Sequence, residues 1–103
     1  MTGTTTLSSL LTITQATANT GIIASTGYSL TGTDATSMVN LAGTWNTTGV
    51  PTAIKLNITN TASGAGSLLM DLQVGAASKF SVDTVGNTSI AGSASFNTST
   101  GSC

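Results

Sequence analysis

Residues 68–87 constrain the fold of this chain more than any other segment. The runs LLMDLQV at 68–74 and KFSV at 79–82 place apolar residues at every second position. Such alternation is typical of β-strands, because successive side chains of a strand point to opposite faces of a sheet. The intervening run GAAS at 75–78 has the length of a hairpin loop or a tight corner. The segment therefore predicts two short strands joined by a turn.

A helix is the alternative for the first of these runs. Leu68, Leu69 and Leu72 have a spacing that a helix would also place on one side. The β-branched neighbours and the flanking glycines favour strands.

Further strand patterns lie upstream. Ala53–Thr59 is the clearest, and three aliphatic residues would share one face of this half-buried strand: Ile54, Leu56 and Ile58. Four weaker strand candidates precede it: Leu11–Ile13, Gly21–Ala24, Tyr28–Leu30 and Met38–Leu41. Asp34 offers a different interpretation of the last of these, as the cap of a short helical turn that runs through Met38. Together the patterns predict an all-β chain of short strands with Gly, Ser and Asn turns.

The apolar residues predict a thin core. A chain of 103 residues is expected to form a single domain, 1–103, with flexible ends at 1–7 and 97–103. A monomer of this size would bury about 65% of its unfolded surface. Only four residues are aromatic, and much of the remaining apolar fraction is alanine, which buries little area. We therefore expect the chain to need contacts with another chain.

The charge inventory excludes whole classes of function. Two lysines and no arginine cannot neutralise a phosphate backbone, which argues against a nucleic-acid partner. No apolar run reaches the roughly 20 residues that a membrane span requires, so no membrane insertion is expected.

Catalytic and metal-binding groups are equally scarce. The chain has no histidine, and Asp71 and Asp83 are the candidates for a carboxylate pair. On the strand interpretation both lie opposite the apolar stripes, as surface carboxylates would. Adding Asp34 gives too few oxygen ligands for an ordinary calcium site, although a weak ion on a symmetry axis stays open. We expect no catalytic site, no metal site and no cofactor, and thus no enzyme.

Three residues leave alternatives open. Tyr28 and Trp45 would suit stacking on a sugar ring, or Trp45 would pack its loop against a neighbouring sheet or chain. Cys103 is the single cysteine and the last residue. It is either incidental or the site of an interchain disulfide near a symmetry axis.

Residues 42–59 (AGTWNTTGVPTAIKLNIT) and residues 68–87 resemble shaft or shoulder segments of bacteriophage tail fibre and tail spike proteins. The resemblance implies an intertwined homotrimeric β-helix or β-prism. The trimer core would then be built from one apolar stripe of each chain: Ile54, Leu56, Ile58, Met70, Leu72, Val74, Phe80 and Val82.

The resemblance also implies a role. It indicates a structural, non-enzymatic part of a phage virion, extracellular after release, that contacts other virion proteins and contributes to host attachment, with host surface polysaccharide as a partner. The alternatives are a capsid decoration or head-fibre protein and a carbohydrate-binding module. An ice-binding protein is a further alternative, because Thr12 and Thr14 have the Thr-x-Thr spacing without its regular repeat.

Overall fold

The structure, a computed structural model, describes residues 3–96, and the chain divides after Gly49 into two units that are described separately. All regular secondary structure of these residues is in the second unit and is β: β1 Leu68–Val74, β2 Ala77–Asp83 and β3 Thr88–Ile90. The strands form one open antiparallel sheet in the order β1-β2-β3. Residues 3–96 contain no helix. The prediction of an all-β chain is confirmed at this level.

β1 and β2 form the hairpin that the sequence predicts. Gly75 and Ala76 make a two-residue loop with φ of 57° and 65°, the positive values at both central positions that a type I′ turn requires. Ala77 already pairs with Val74, so the second half of the GAAS run belongs to β2. The backbone twist of this turn matches the twist of the paired strands, which explains why so short a loop suffices.

Two β-bulges interrupt the pairing of β1 with β2. Leu72 lies opposite Phe80 and Gln73 opposite Ser78, which leaves Lys79 as an extra residue of β2. Leu69 is the corresponding extra residue of β1. A bulge bends its strand and increases the local twist.

The second connection is closed by the backbone and side chain of Asp83. The Asp83 N–H donates to the Asn87 carbonyl at 3.0 Å, and the Gly86 N–H donates to the Asp83 carbonyl at 3.2 Å. Gly86 has a φ of 94°, in the region that favours glycine. The chain thus reverses within a few residues and Thr88–Ile90 returns along β2.

The predicted strand Ala53–Thr59 is not a strand in this chain, and this prediction is wrong for the single chain. No described residue forms a hydrogen bond with its backbone, and Leu56 is 75% exposed. Alternation shows that a segment could be amphipathic, but a strand also requires a neighbouring strand for its N–H and C=O groups. The four weaker candidates between residues 11 and 41 are not strands for the same reason.

The described part of the first unit, residues 3–49, has turns in place of regular elements. The Asp34 N–H donates to the Thr31 carbonyl at 3.3 Å, and the Asp34 carboxylate accepts from the Thr36 N–H at 3.0 Å. Asp34 therefore caps a turn and not a helix, which corrects the alternative of a helical turn through Met38. The competing local hydrogen bonds of Asp and Thr are the physical reason.

Of the expected flexible ends, residues 1–2 and 97–103 lie outside the described residues. Cys103 is among them.

Candidate assembly surface

The sheet gathers apolar side chains on one face through its register. Leu72, Phe80 and Ile90 lie opposite one another across the three strands, and Met70 lies opposite Val82 in the next row. With Val74, which is two residues from Leu72, they form the surface that we call the apolar face: Met70, Leu72, Val74, Phe80, Val82 and Ile90. The Lys79 bulge makes this arrangement possible. Val74 directly precedes the turn and Phe80 is the fourth residue after it, so a regular hairpin would place them on opposite faces. The extra residue Lys79 brings both to the same face.

The apolar face has no cover within the described residues. Leu72 is 54% exposed and Val74 is 70% exposed, whereas Phe80 and Val82 are half-buried. No residue between 3 and 96 is fully buried. The sheet therefore lacks the second layer that normally buries an apolar face.

The opposite face of the sheet is mainly polar, with Leu68 opposite Asp83 at one end. Asp71, Ser81 and Ser89 form one row across the three strands. The Gln73 Nε2 atom donates to the Asp71 carboxylate. One apolar and one polar face make this an amphipathic sheet, in which the polar face suits water and the apolar face suits a partner.

Five of the eight residues predicted for a trimer core lie together on the apolar face: Met70, Leu72, Val74, Phe80 and Val82. The other three lie outside the sheet and are strongly exposed: Ile54 at 72%, Leu56 at 75% and Ile58 at 66%. Ile90 belongs to the face but was missed by the sequence analysis. The available signal was the turn-forming run DTVGN at 83–87, which indicates a chain reversal after β2.

The Asp83 carboxylate is engaged by its own loop. It accepts hydrogen bonds from Asn87 Nδ2 at 2.8 Å, Asn87 N at 2.9 Å and Val85 N at 2.9 Å. The side-chain bond from Asn87, followed by the backbone bonds, lowers the pKa of Asp83 below its ordinary value. These bonds favour the charged carboxylate and hold the β2–β3 loop.

Asp34 has a lowered pKa for a similar reason. The Thr36 hydroxyl donates to its carboxylate at 2.6 Å, and the Thr36 backbone N–H adds a second bond. Among residues 3–96 no three His, Cys, Asp or Glu side chains cluster as metal ligands would. A search of the same residues finds no helix long and apolar enough to span a membrane.

The two candidate sugar-binding aromatics both lie in the first unit. The Tyr28 hydroxyl donates to the Thr36 carbonyl, so its polar end is engaged while 44% of the residue remains exposed. Trp45 is 63% exposed. The described residues show no ring contact between Tyr28 and Trp45, so the structure does not bring them together as one platform.

Comparison of the chain with protein-family models, curated proteins and solved structures finds no match.

Proposed function

We propose that this protein is a structural, non-enzymatic component of a phage virion, in which three copies form a tail fibre or spike shaft as an intertwined β-helix or β-prism. The observation that carries the proposal is the uncovered apolar face. Six large apolar residues on one side of a three-stranded sheet are a surface that a soluble monomer would have to leave in water. The number of three chains and the assignment to a phage virion are inferred from the resemblance of residues 42–59 and 68–87 to fibre segments.

The exposure of the described residues supports an assembly. None of residues 3–96 is fully buried, although a folded domain normally buries its apolar side chains in a core. Large apolar side chains of the sheet stay exposed, among them Leu72 at 54% and Val74 at 70%. An apolar surface of this kind marks a site of protein association.

The composition suits a shaft that is exposed to water. Its threonine, serine, asparagine and glycine residues provide a polar exterior with only five charged residues. In the proposed trimer the polar face with Asp71, Ser81 and Ser89 points outward. A polar surface also limits further association once the apolar face is covered.

Light scattering of the purified chain tests the assembly. We expect a mass close to three times the chain mass of 10.1 kDa, unchanged over a wide dilution range. A well-folded monomer at micromolar concentration would overturn the proposal. Antibody labelling of intact phage particles then separates a tail fibre from a capsid decoration or head fibre, because only the former places the label at the tail.

The exposure of Trp45 favours carbohydrate binding as a second candidate function. A tryptophan that is 63% exposed offers its ring to a sugar. Titration of host polysaccharides while tryptophan fluorescence is recorded should shift the emission of Trp45, the single tryptophan. A Trp45→Ala variant, which has no ring to stack on a sugar, would contradict this function if it bound a glycan array as the wild type does.

A further inference from the structure

The outer edge of β1 is an unpaired strand edge. Within the described residues β1 pairs with β2 alone, so the other side of its seven residues presents free N–H and C=O groups. Proteins that keep such an edge free usually place proline or lysine on it. β1 contains neither, and its one charged residue is Asp71. This edge is open to a further strand.

A segment of matching length and pattern lacks a partner in the same unit. Ala53–Thr59 has seven residues, as β1 has, and alternates apolar and polar side chains. Its backbone forms no hydrogen bond with any described residue. The segment and the edge both have backbone N–H and C=O groups that need hydrogen-bond partners, and each can supply those partners to the other.

We propose that Ala53–Thr59 of one copy pairs with the outer edge of β1 in a second copy of the chain. The proposal rests on the homotrimer proposed above and identifies which segments join its chains. Placing Leu56 beside Leu72 extends the apolar row to four strands, Leu56–Leu72–Phe80–Ile90. The row is the same whether the added strand runs parallel or antiparallel to β1.

The side chains on either side of this row match as well. Ile54 and Ile58 then lie next to Met70 and Val74, so apolar residues meet apolar residues along the whole pairing. Lys55 falls on the polar face that carries Asp71, where opposite charges attract. A shift of the pairing by one residue would place all three aliphatic side chains on the polar face.

The occupant is a second copy because each chain carries both halves of the contact and the two halves do not pair with each other within the chain. One chain offers the edge and receives the segment of its neighbour, while its own segment goes to the next chain. Such a head-to-tail contact closes into a ring when its rotation permits. It also adds interchain backbone hydrogen bonds to the apolar contact and covers an edge that would otherwise invite aggregation.

Paired cysteines test the contact directly. In a Cys103→Ser background, Leu56→Cys and Leu72→Cys are introduced together, and the full chain is oxidised and run on a non-reducing denaturing gel. Residues that face each other on neighbouring strands have the Cα separation that a disulfide needs. We expect a covalent species of three times the chain mass of 10.1 kDa, reversed by reductant. The matched control, Lys55→Cys with Leu72→Cys, places the thiols on opposite faces and should stay monomeric on the gel.

The remaining outcomes overturn the inference. An oxidised product that remains a single chain would mean that Ala53–Thr59 pairs with β1 of its own chain. An absence of disulfide in a protein that light scattering shows to be trimeric would refute this pairing and leave the proposed trimer standing. A monomer by light scattering of the wild-type chain would refute both.

Co-expression of differently tagged Leu56→Cys and Leu72→Cys single variants is a second test. We expect only mixed-tag dimers, and same-tag dimers would contradict the pairing.

Discussion

Truncation of Leu72 is the sharpest test of the apolar face. Leu72 is the β1 member of the row Leu72–Phe80–Ile90 and lies between Met70 and Val74 on the apolar face, yet 54% of it is exposed in the single chain. Leu72→Ala removes three carbons, worth about 2.4 kcal/mol when fully buried at about 0.8 kcal/mol each. Covering the exposed 54% therefore accounts for about 1.3 kcal/mol per chain, or about 4 kcal/mol per trimer.

This free energy has a measurable consequence for assembly. About 4 kcal/mol raises the trimer dissociation constant about 1,000-fold. The half-dissociation concentration of a monomer–trimer equilibrium scales as the square root of that constant, so we expect a rise of about 30-fold. Sedimentation or light scattering over a dilution series measures it, and circular dichroism at high concentration checks that the β-structure is retained.

Val85→Ala is the matched control. Val85 is 81% exposed in the β2–β3 loop and does not belong to the apolar face. Its truncation should leave the half-dissociation concentration unchanged. If Leu72→Ala shifts it by less than twofold, or if both variants shift it equally, the apolar face is not the surface that joins the chains.

Three further variants probe the sheet itself. Ile90→Ala should weaken the trimer by about 1 kcal/mol per chain, because Ile90 is 42% exposed on the apolar face; an unchanged dilution series would remove Ile90 from that face. Gly75→Asn combined with Ala76→Gly should raise the free energy of unfolding in urea by about 0.5 kcal/mol, since Asn-Gly suits a type I′ turn and Ala76 has a strained φ of 65°; a lower value would contradict that turn. Asp83 has a lowered pKa, so its contribution to stability is complete above the unfolded-state value of about 3.9 and is lost as the pH falls through the lower folded-state value. Asp83→Asn should therefore flatten the loss of stability on the acid side in urea titrations, leaving the similar contribution of Asp34, and an unchanged acid limb would refute the role of the loop hydrogen bonds.

The β1–β2 hairpin was predictable because its information is local. Alternation on both sides of the GAAS run at 75–78 indicates two strands, and Gly75 adopts the positive φ of the turn without strain. The bulges at Leu69 and Lys79 were not predictable, since a bulge depends on the register between strands. The Lys79 bulge sets which residues of β2 lie opposite β1, so the cross-strand pairs and the place of Ile90 followed from the structure alone, whereas the other five residues of the apolar face were grouped from the sequence.

Ala53–Thr59 shows the limit of alternation as a signal. It has a clearer pattern than β1, but β1 has a partner seven residues long that returns through a two-residue turn. Eight residues separate Thr59 from Leu68. Residues 64–67 form a turn before β1, in which the Ser67 N–H donates to the Gly64 carbonyl at 3.3 Å, but Ala53–Thr59 does not pair with β1 through it. β3 shows the converse, because its three residues are too few to make a pattern and are strands only through their hydrogen bonds to β2.

The outer edge of β1 and the apolar face are both uncovered in the described part of the second unit, and each requires a different kind of contact. A strand added at the edge of β1 widens the sheet and extends the row Leu72–Phe80–Ile90, but it leaves the apolar face in contact with water. Covering that face requires a second layer about 10 Å away, which edge pairing does not provide. The proposed trimer would supply both, because each sheet would pack its apolar face inward while its edge receives a neighbouring chain. Edge pairing without such packing would give an open, growing sheet, so in the proposed trimer it is the packing of the apolar face that would end the assembly at a closed ring.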